Sequence, residues 1–275
     1  MTPVSSLDTK ALAQELADAY ANRHVISTPP TARDGGFDIK TGYAVEAELT
    51  RMRRAAGHAT VGRKIGFANK ALWRVHKMDT LVWAHMYDDT VRYAGSSNTA
   101  DVAVTRMTSP RIEPEIVFKL KRPLAGGDPA AALEAVEWFA LGFEVIDCVY
   151  ADWKFQPADF LAAYGLHAGL IVGEPRLVEP AHIPALADAL ATFTVTLTRN
   201  GQLTAEGGGK NVLRSPALCL AEVARASTAA SMPLAAGELI STGALTEYQP
   251  IVTGQTWTAT LAGLDLPELT VHTIA

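Results

Sequence analysis

The chain has 275 residues, 48% hydrophobic and 19% charged, with a formal net charge of −5 and two cysteines. A folded chain of this length buries about 70–75% of its unfolded surface, so its core needs no disulfide staples, and the low charged fraction beside plentiful Ala, Gly and aliphatics excludes a disordered chain. The mild acidity and the lack of a basic stripe exclude a general phosphate-backbone binder, so no nucleic-acid partner is expected.

Cys148 and Cys219 stand far apart, outside any CxxC pair, and read as small buried hydrophobes in a reducing compartment. The start, MTPVSSLDTKALAQELADAYANR, has neither the basic opening nor the apolar run of a secretory signal. No window of about 18 uncharged apolar residues follows, so a cytoplasmic protein without membrane contact is expected.

In chain order, Ser6 or Asp8 is placed to cap a helix carrying Leu12, Leu16, Ala19 and Tyr20 on one stripe. A second helix starts near Thr41, uses Tyr43, Val45, Leu49 and Met52, and stops at Gly57; the proline- and glycine-rich HVISTPPTARDGGFD connects the two. After Gly57 come short β-like runs: ATVGRKIGF, DVAVTRM, IEPEIVFKL, LGFEVIDCVY, HAGLIVG, TFTVTLTRN, GELISTGAL, QTWTATLAGL and ELTVHTI. Asn200-Gly201 is a strong hairpin signal. Helices are expected around 129–140 and 216–230. The pattern predicts an α+β chain, with residues 1–57 as a helical packing and oligomerisation layer and 58–275 as a β-rich domain.

Arg111-Ile112-Glu113-Pro114-Glu115-Ile116 carries the most information. Alternation puts Ile112, Ile116, Phe118 and Leu120 on one face and Glu113 and Glu115 on the other. Pro114 confines this stretch to a sheet edge or a bulge, and a solvated polar face is the plain alternative to a site. Glu144 sits in the apolar run LGFEVIDCVY, where a carboxylate is costly unless paired or bound to metal. Three carboxylates without a Cys or His cluster suit Mg²⁺ or Mn²⁺ better than zinc. A pairing of Glu144 with Arg111, Lys154 or Lys64 is the competing explanation.

Here the sequence resembles a family. VGRKIGF (61–67), PRIEPEIVFKLKRPL (110–124), FEVID followed by DW (143–153), NGQLTAEGGGKNVLRSPALCLAEVA (200–224) and PLAAGELISTGAL (233–245) are similar to landmarks of bacterial 2-oxopent-4-enoate hydratases and 4-oxalocrotonate decarboxylases. Both groups belong to the fumarylacetoacetate hydrolase superfamily, and the resemblance runs in order from about residue 60 to 260. It implies a mixed β-sandwich or roll with a helical N-terminal region. It also implies Glu113, Glu115 and Glu144 as ligands of Mg²⁺ or Mn²⁺, and Lys64 as an acid/base or polarising group. Asp79 matches a family Asp only with a one-residue gap, with His85 or Asp88 as stand-ins. Thr242 and Gly243 match the loop over the substrate, Thr242 as a hydroxyl donor to a carboxylate; Gly243 would serve a structural turn equally well.

The sequence departs from the family at 159–173, where relatives carry an Asp-Asn-Ala-Ser stretch and this chain has Ala163, Tyr164, Gly165, Leu166 and His167. Either Tyr164 holds substrate and His167 is catalytic, or the pocket takes a different, more apolar acid; a lone His is also a common structural residue. EGGGKN (206–211) fails both the P-loop and the dinucleotide patterns. The resemblance implies a lyase of aromatic catabolism that hydrates a small 2-hydroxy-2,4-dienoic or 2-oxo-4-enoic acid. Decarboxylation comes second and acylpyruvate-type C–C hydrolysis third. A metal-dependent 2-oxo-acid binder or structural partner subunit is the non-enzyme alternative. The resemblance further implies a homo-oligomer and a decarboxylase–hydratase complex, and open strand edges would make such association useful.

Overall fold

The computed structural model describes residues 8–95 and 97–275. Helices α1 (Thr9–Asn22), α2 (Pro30–Arg33) and α3 (Ile39–Ala55) come first. Asp8 caps α1 by accepting from the Lys10 and Ala11 amides; Ser6, the other expected cap, lies outside the described residues. Next follow β1 (Thr60–Gly66), α4 (Lys70–His76), β2 (Val82–Tyr87), β3 (Val91–Tyr93), β4 (Thr99–Ala103) and β5 (Pro110–Leu120). The chain continues through α5 (Pro129–Leu133), β6 (Val136–Asp147), α6 (Pro157–Ala162), β7 (His167–Val172) and β8 (Arg176–Leu177). It ends with α7 (Ile183–Thr192), β9 (Thr194–Arg199), β10 (Gln202–Gly208), α8 (Pro216–Ala229), β11 (Leu239–Ser241), β12 (Gln249–Pro250), β13 (Thr256–Ala262) and β14 (Leu269–Ile274).

The strands form two mixed sheets. Nine lie in one, ordered β2-β1-β11-β5-β6-β7-β3 with β12 on β5 and β8 on β6; five form the other, β10-β9-β13-β14-β4. The β9–β10 hairpin turns on Asn200 (φ 52°) and Gly201 (φ 75°), the two positive angles that a tight hairpin of this twist requires. No helix of the described residues is long and apolar enough to cross a membrane.

Two sequence expectations change. The helix expected over 129–140 is one turn, α5, because from Val136 onward the chain pairs with β5, Lys119 opposite Trp138 and Phe118 opposite Phe139. Sheet pairing of alternating large side chains overrides the helix preference of the alanine run. Pro114 is not at the sheet edge. It sits inside β5, where the partner on one side changes from β11, which pairs through Val117, to β12, which pairs at Ile112 and Arg111. The 242–248 loop leaves the sheet in this gap, and Leu245 donates its amide to the Pro114 carbonyl at 2.9 Å.

Helix α3 closes the outer edge of β2. The Trp83 amide donates to Tyr43 Oη at 3.2 Å, the His85 amide to Glu46 Oε1 at 3.1 Å, and the Tyr87 amide to Thr90 Oγ1 at 3.2 Å. The outward amides of this edge thus find side-chain acceptors within the chain, two from α3 and one from Thr90 in the turn after β2. Glu46 is buried and also meets His85 Nδ1 at 2.7 Å. Glu46→Ala is expected to cost about 1–3 kcal/mol, because it strands a buried amide and an imidazole. A urea midpoint equal to wild type at the same m-value contradicts this.

Candidate active site

One face of the larger sheet gathers the chemistry. Register puts Glu113 opposite Glu144 across β5 and β6, and Lys64 of β1 beside Ser241 of β11. Strand alternation then carries Glu115 to that same face, while Ile112, Ile116, Phe118 and Leu120 enter the main core behind it. Further along the face, Met86, Val117, Ala140, Leu170, Val172 and Leu239 form a second apolar cluster.

Oxygens of Glu113, Glu115 and Glu144 all lie within 4.8 Å of one another. Glu115 and Glu144 are fully buried, and Glu113 is 6% exposed at the bottom of a cleft of about 540 Å³. Ser241 Oγ donates to Glu115 Oε2, and the Gly243 amide does so at 3.0 Å. The φ of +107° at Gly243 aims that amide inward, a conformation that side chains disfavour. His167 Nδ1 lies 2.8 Å from Glu144 Oε1, and its Nε2 lies 2.9 Å from Thr90 Oγ1. Lys64 Nζ lies 3.0 Å from Glu144 Oε2 as an ion pair, while its aligned hydrogen bond goes to the Gly165 carbonyl, also at 3.0 Å. Glu115 Oε1 is buried with no hydrogen-bond donor, and Glu144 Oε2 is buried with the Lys64 ion pair alone.

The electrostatics follow from crowding acids under an apolar roof. Burial, reinforced by the Glu144 charge, pushes Glu113 up to about 8. Burial, then the Glu144 and Glu113 charges, raises Glu115 well above the carboxylate range. Burial also opposes ionisation of Glu144, but Lys64 and His167 outweigh it and hold its carboxyl low. For Lys64 burial pulls downward, and the three carboxylates, Glu144 first, more than offset it. An all-oxygen set of three converging carboxylates, with Glu115 Oε1 buried and without a donor, fits a hard divalent cation. His58, Asp88 and Asp89 form a second cluster, but it is on the surface and Arg53 already pairs with Asp89.

The structure separates the other sequence candidates. Asp79 is exposed in the turn between α4 and β2, away from the cleft lining, and the gapped match placed it too close. His85 is held by Glu46, and Asp88 faces His58. Tyr164 does not line the cleft; its ring packs edge-on against Tyr20 at 5.7 Å and Tyr87 at 6.5 Å, toward the N-terminal helices. Thr242 is fully buried and spends its hydroxyl on the Ile116 carbonyl at 2.9 Å, so it shapes the loop instead of facing the cleft. Gly243 does line the cleft, and His167 stands behind Glu144.

Sequence reading missed Ser241, Thr90 and Asn211. Asn211 lines the cleft and donates Nδ2 to the Leu245 carbonyl at 2.7 Å, propping the 242–248 loop. Its signal lay in EGGGKN: a Cβ on Gly207 would come within 2.0 Å of the Leu245 carbonyl oxygen, so the segment is built for close backbone packing.

The fumarylacetoacetate (FAA) hydrolase C-terminal profile matches residues 73–273. A 2-hydroxyhexa-2,4-dienoate hydratase of Comamonas testosteroni is 27% identical over 256 residues, 91% of this chain and 92% of the relative. A 2-hydroxypent-2,4-dienoate hydratase of Pseudomonas putida is 31% identical over 218 residues, 78% of this chain and 92% of the relative. The structure of 4-oxalocrotonate decarboxylase from Pseudomonas putida G7, complexed with magnesium and adipate, superposes with a TM-score of 0.86 at 26% identity over 97% of both chains. The chain belongs to the fumarylacetoacetate hydrolase family, within its group of dienoate hydratases and 4-oxalocrotonate decarboxylases.

Proposed function

We propose that this chain is a divalent-metal-dependent hydro-lyase of aromatic catabolism that converts a 2-hydroxy-2,4-dienoate into a 4-hydroxy-2-oxo acid. The observation that carries the reading is the buried Glu113–Glu115–Glu144 cluster at the floor of the cleft, with Glu115 Oε1 lacking a donor and Glu144 Oε2 met only by the Lys64 ion pair. Glu113, Glu115 and Glu144 would hold the cation, Mg²⁺ or Mn²⁺, whose contribution is Lewis-acid polarisation of the substrate's oxygens.

In the net reaction the 2-hydroxyl loses its proton, C5 and C3 each gain one, and hydroxide from water ends on C4. Lys64, an ammonium at the cleft floor, donates a hydrogen bond to the 2-oxygen and stabilises the negative charge that develops there as the hydroxyl proton leaves. Gly243 and Ser241 fix the Glu115 carboxylate, and His167, itself held by Thr90, fixes Glu144. The ring-lined walls would pack against the conjugated system. His167 is thus a positioning residue. His167→Ala is expected to weaken Mn²⁺ binding by about 10–100-fold, read by calorimetry, because ligand-orienting partners are worth that much. Unchanged affinity would make His167 a packing residue only.

The metal-free site should also show its charge crowding. Folding raises Glu113 from 4.5 to about 8 and raises Glu115, so the folded state keeps protons that the unfolded chain sheds. Stability of the metal-free protein therefore falls as pH rises from 4.5 to about 8. Thermal melts in EDTA at about pH 6 and about pH 8 are expected to show the lower Tm at the higher pH, and saturating Mg²⁺ to remove the trend. A pH-independent Tm in EDTA contradicts the crowded-acid account.

Decarboxylation is the second reading, favoured by the 97% overlap with the decarboxylase structure. Incubation with 2-hydroxypenta-2,4-dienoate and with 4-oxalocrotonate under Mg²⁺ separates the two: 4-hydroxy-2-oxopentanoate marks the hydratase and CO₂ release the decarboxylase. Turnover of neither overturns the enzyme assignment. This reading takes residues 1–57 as a helical layer and 58–275 as the catalytic body of a cytoplasmic homo-oligomer, with a decarboxylase–hydratase complex as its extension. Light scattering measures the copy number.

A further inference from the structure

The cleft is chemically lopsided. Its floor carries Lys64 and Glu113, whereas its outer walls include Phe67, Leu72, Trp153, Phe155, Phe160 and Tyr248. The rings form a continuous surface: Phe67 meets Phe160 edge-on at 5.4 Å, Phe160 stacks on Phe155 at 6.5 Å, Phe155 tilts against Trp153 at 6.4 Å, and Trp153 stacks on Tyr248 at 5.4 Å. At about 540 Å³ the cleft lies in the range of pockets for drug-sized ligands, beyond the needs of a five-carbon acid.

Cations available to a second carboxylate are missing from this wall. Among the described residues that line the cleft, the only Lys or Arg is Lys64, committed to Glu144 and the Gly165 carbonyl. His76 also lines it, with Nδ1 2.9 Å from Gln156 Oε1, and Glu247 adds negative charge. Arg111 lies outside the lining; its guanidinium is stacked on Trp153 at 3.9 Å and Tyr248 at 4.7 Å. A distal carboxylate would meet ring faces and Glu247, and desolvating it there is unfavourable.

We propose that the substrate is a monocarboxylic 2-hydroxydienoic or 2-oxo acid bearing a bulky apolar tail, aryl or branched alkyl, that lies on the Phe67–Phe160 and Trp153–Tyr248 rings. The proposal rests on the reading of the floor as a 2-oxo-acid site and specifies what the remainder of the cleft selects. Tail burial against several rings supplies discrimination of the order of tenfold or more.

The test uses three 2-oxo acids without the reactive double bond, titrated calorimetrically into the full chain with Mg²⁺: 2-oxopentanoate, 2-oxo-5-phenylpentanoate and 2-oxoadipate. The phenyl acid is expected to bind at least about tenfold more tightly than either of the others. Tyr248→Ala, at a 43% exposed position that a truncation can tolerate, is expected to shrink that preference several-fold. Tightest binding of 2-oxoadipate, reversed by Arg111→Gln, overturns the proposal, as does equal binding of the phenyl and pentanoate acids; both outcomes leave the 2-oxo-acid site standing. Binding of none of the three overturns that reading and the proposal with it.

Discussion

Glu115→Gln is expected to lower kcat/KM by about 10³-fold or more while making the metal-free protein more stable at neutral to alkaline pH. The two effects have separate origins. Glu115 Oε1 is buried without a donor, so its value lies in ligation; an amide keeps the size and can still accept from Ser241 and Gly243 through its oxygen. The variant also deletes a carboxyl whose ionisation the buried acid cluster already opposes. Removing such a charge relieves repulsion with Glu113 and Glu144, and active sites commonly trade stability for function in this way. Steady-state kinetics under Mg²⁺ and urea unfolding in EDTA read the two effects. A variant that loses activity and also unfolds more easily would indicate a structural role for Glu115.

Lys64→Met is expected to cost about 3–5 kcal/mol in the metal-free protein, because it leaves the buried Glu144 carboxylate without its cation. Lys64 is 3% exposed, and its Nζ is 3.0 Å from Glu144 Oε2. The double variant Lys64→Met/Glu144→Gln removes both charges and is expected to recover much of that loss, which a double-mutant cycle in EDTA measures directly. Mg²⁺ should partly rescue the single variant by replacing the missing positive charge. Additive single and double effects would mean that the two side chains do not stabilise one another.

The parts of the site readable from sequence were those set by local periodicity. Alternation along 112–120 put Glu113 and Glu115 on one face, and the apolar run around Glu144 announced a carboxylate that needed a partner. Of the explanations offered for Glu144, the pairing with Lys64 is present, and Glu113 and Glu115 converge on the same carboxylate. What periodicity cannot encode is which strand lies alongside. Pro114 looked like an edge signal because proline lacks a ladder donor; the structure accommodates it at a change of partner within the sheet. The same blindness extended the helix at 129–140 into β6, whose pairing with β5 is a long-range fact.

Side-chain direction was equally hidden. Tyr164 and Thr242 carry suitable polar groups, yet one packs against Tyr20 and Tyr87 and the other donates to a backbone carbonyl. Conversely, Ser241 and Asn211 are ordinary polar residues in sequence and become significant only because Glu115 and Leu245 lie across from them. The departure at 159–173 left two options open. With Tyr164 turned away and His167 behind Glu144, the geometry favours the more apolar acid.

The most direct test of the central claim is anomalous diffraction from crystals grown with Mn²⁺. One strong peak is expected within coordination distance of Glu113, Glu115 and Glu144, facing the cleft and drawing Glu115 Oε1 and Glu144 Oε2 into the ligand set. A peak only at the surface cluster of His58, Asp88 and Asp89, with the three buried carboxylates still metal-free, would contradict it.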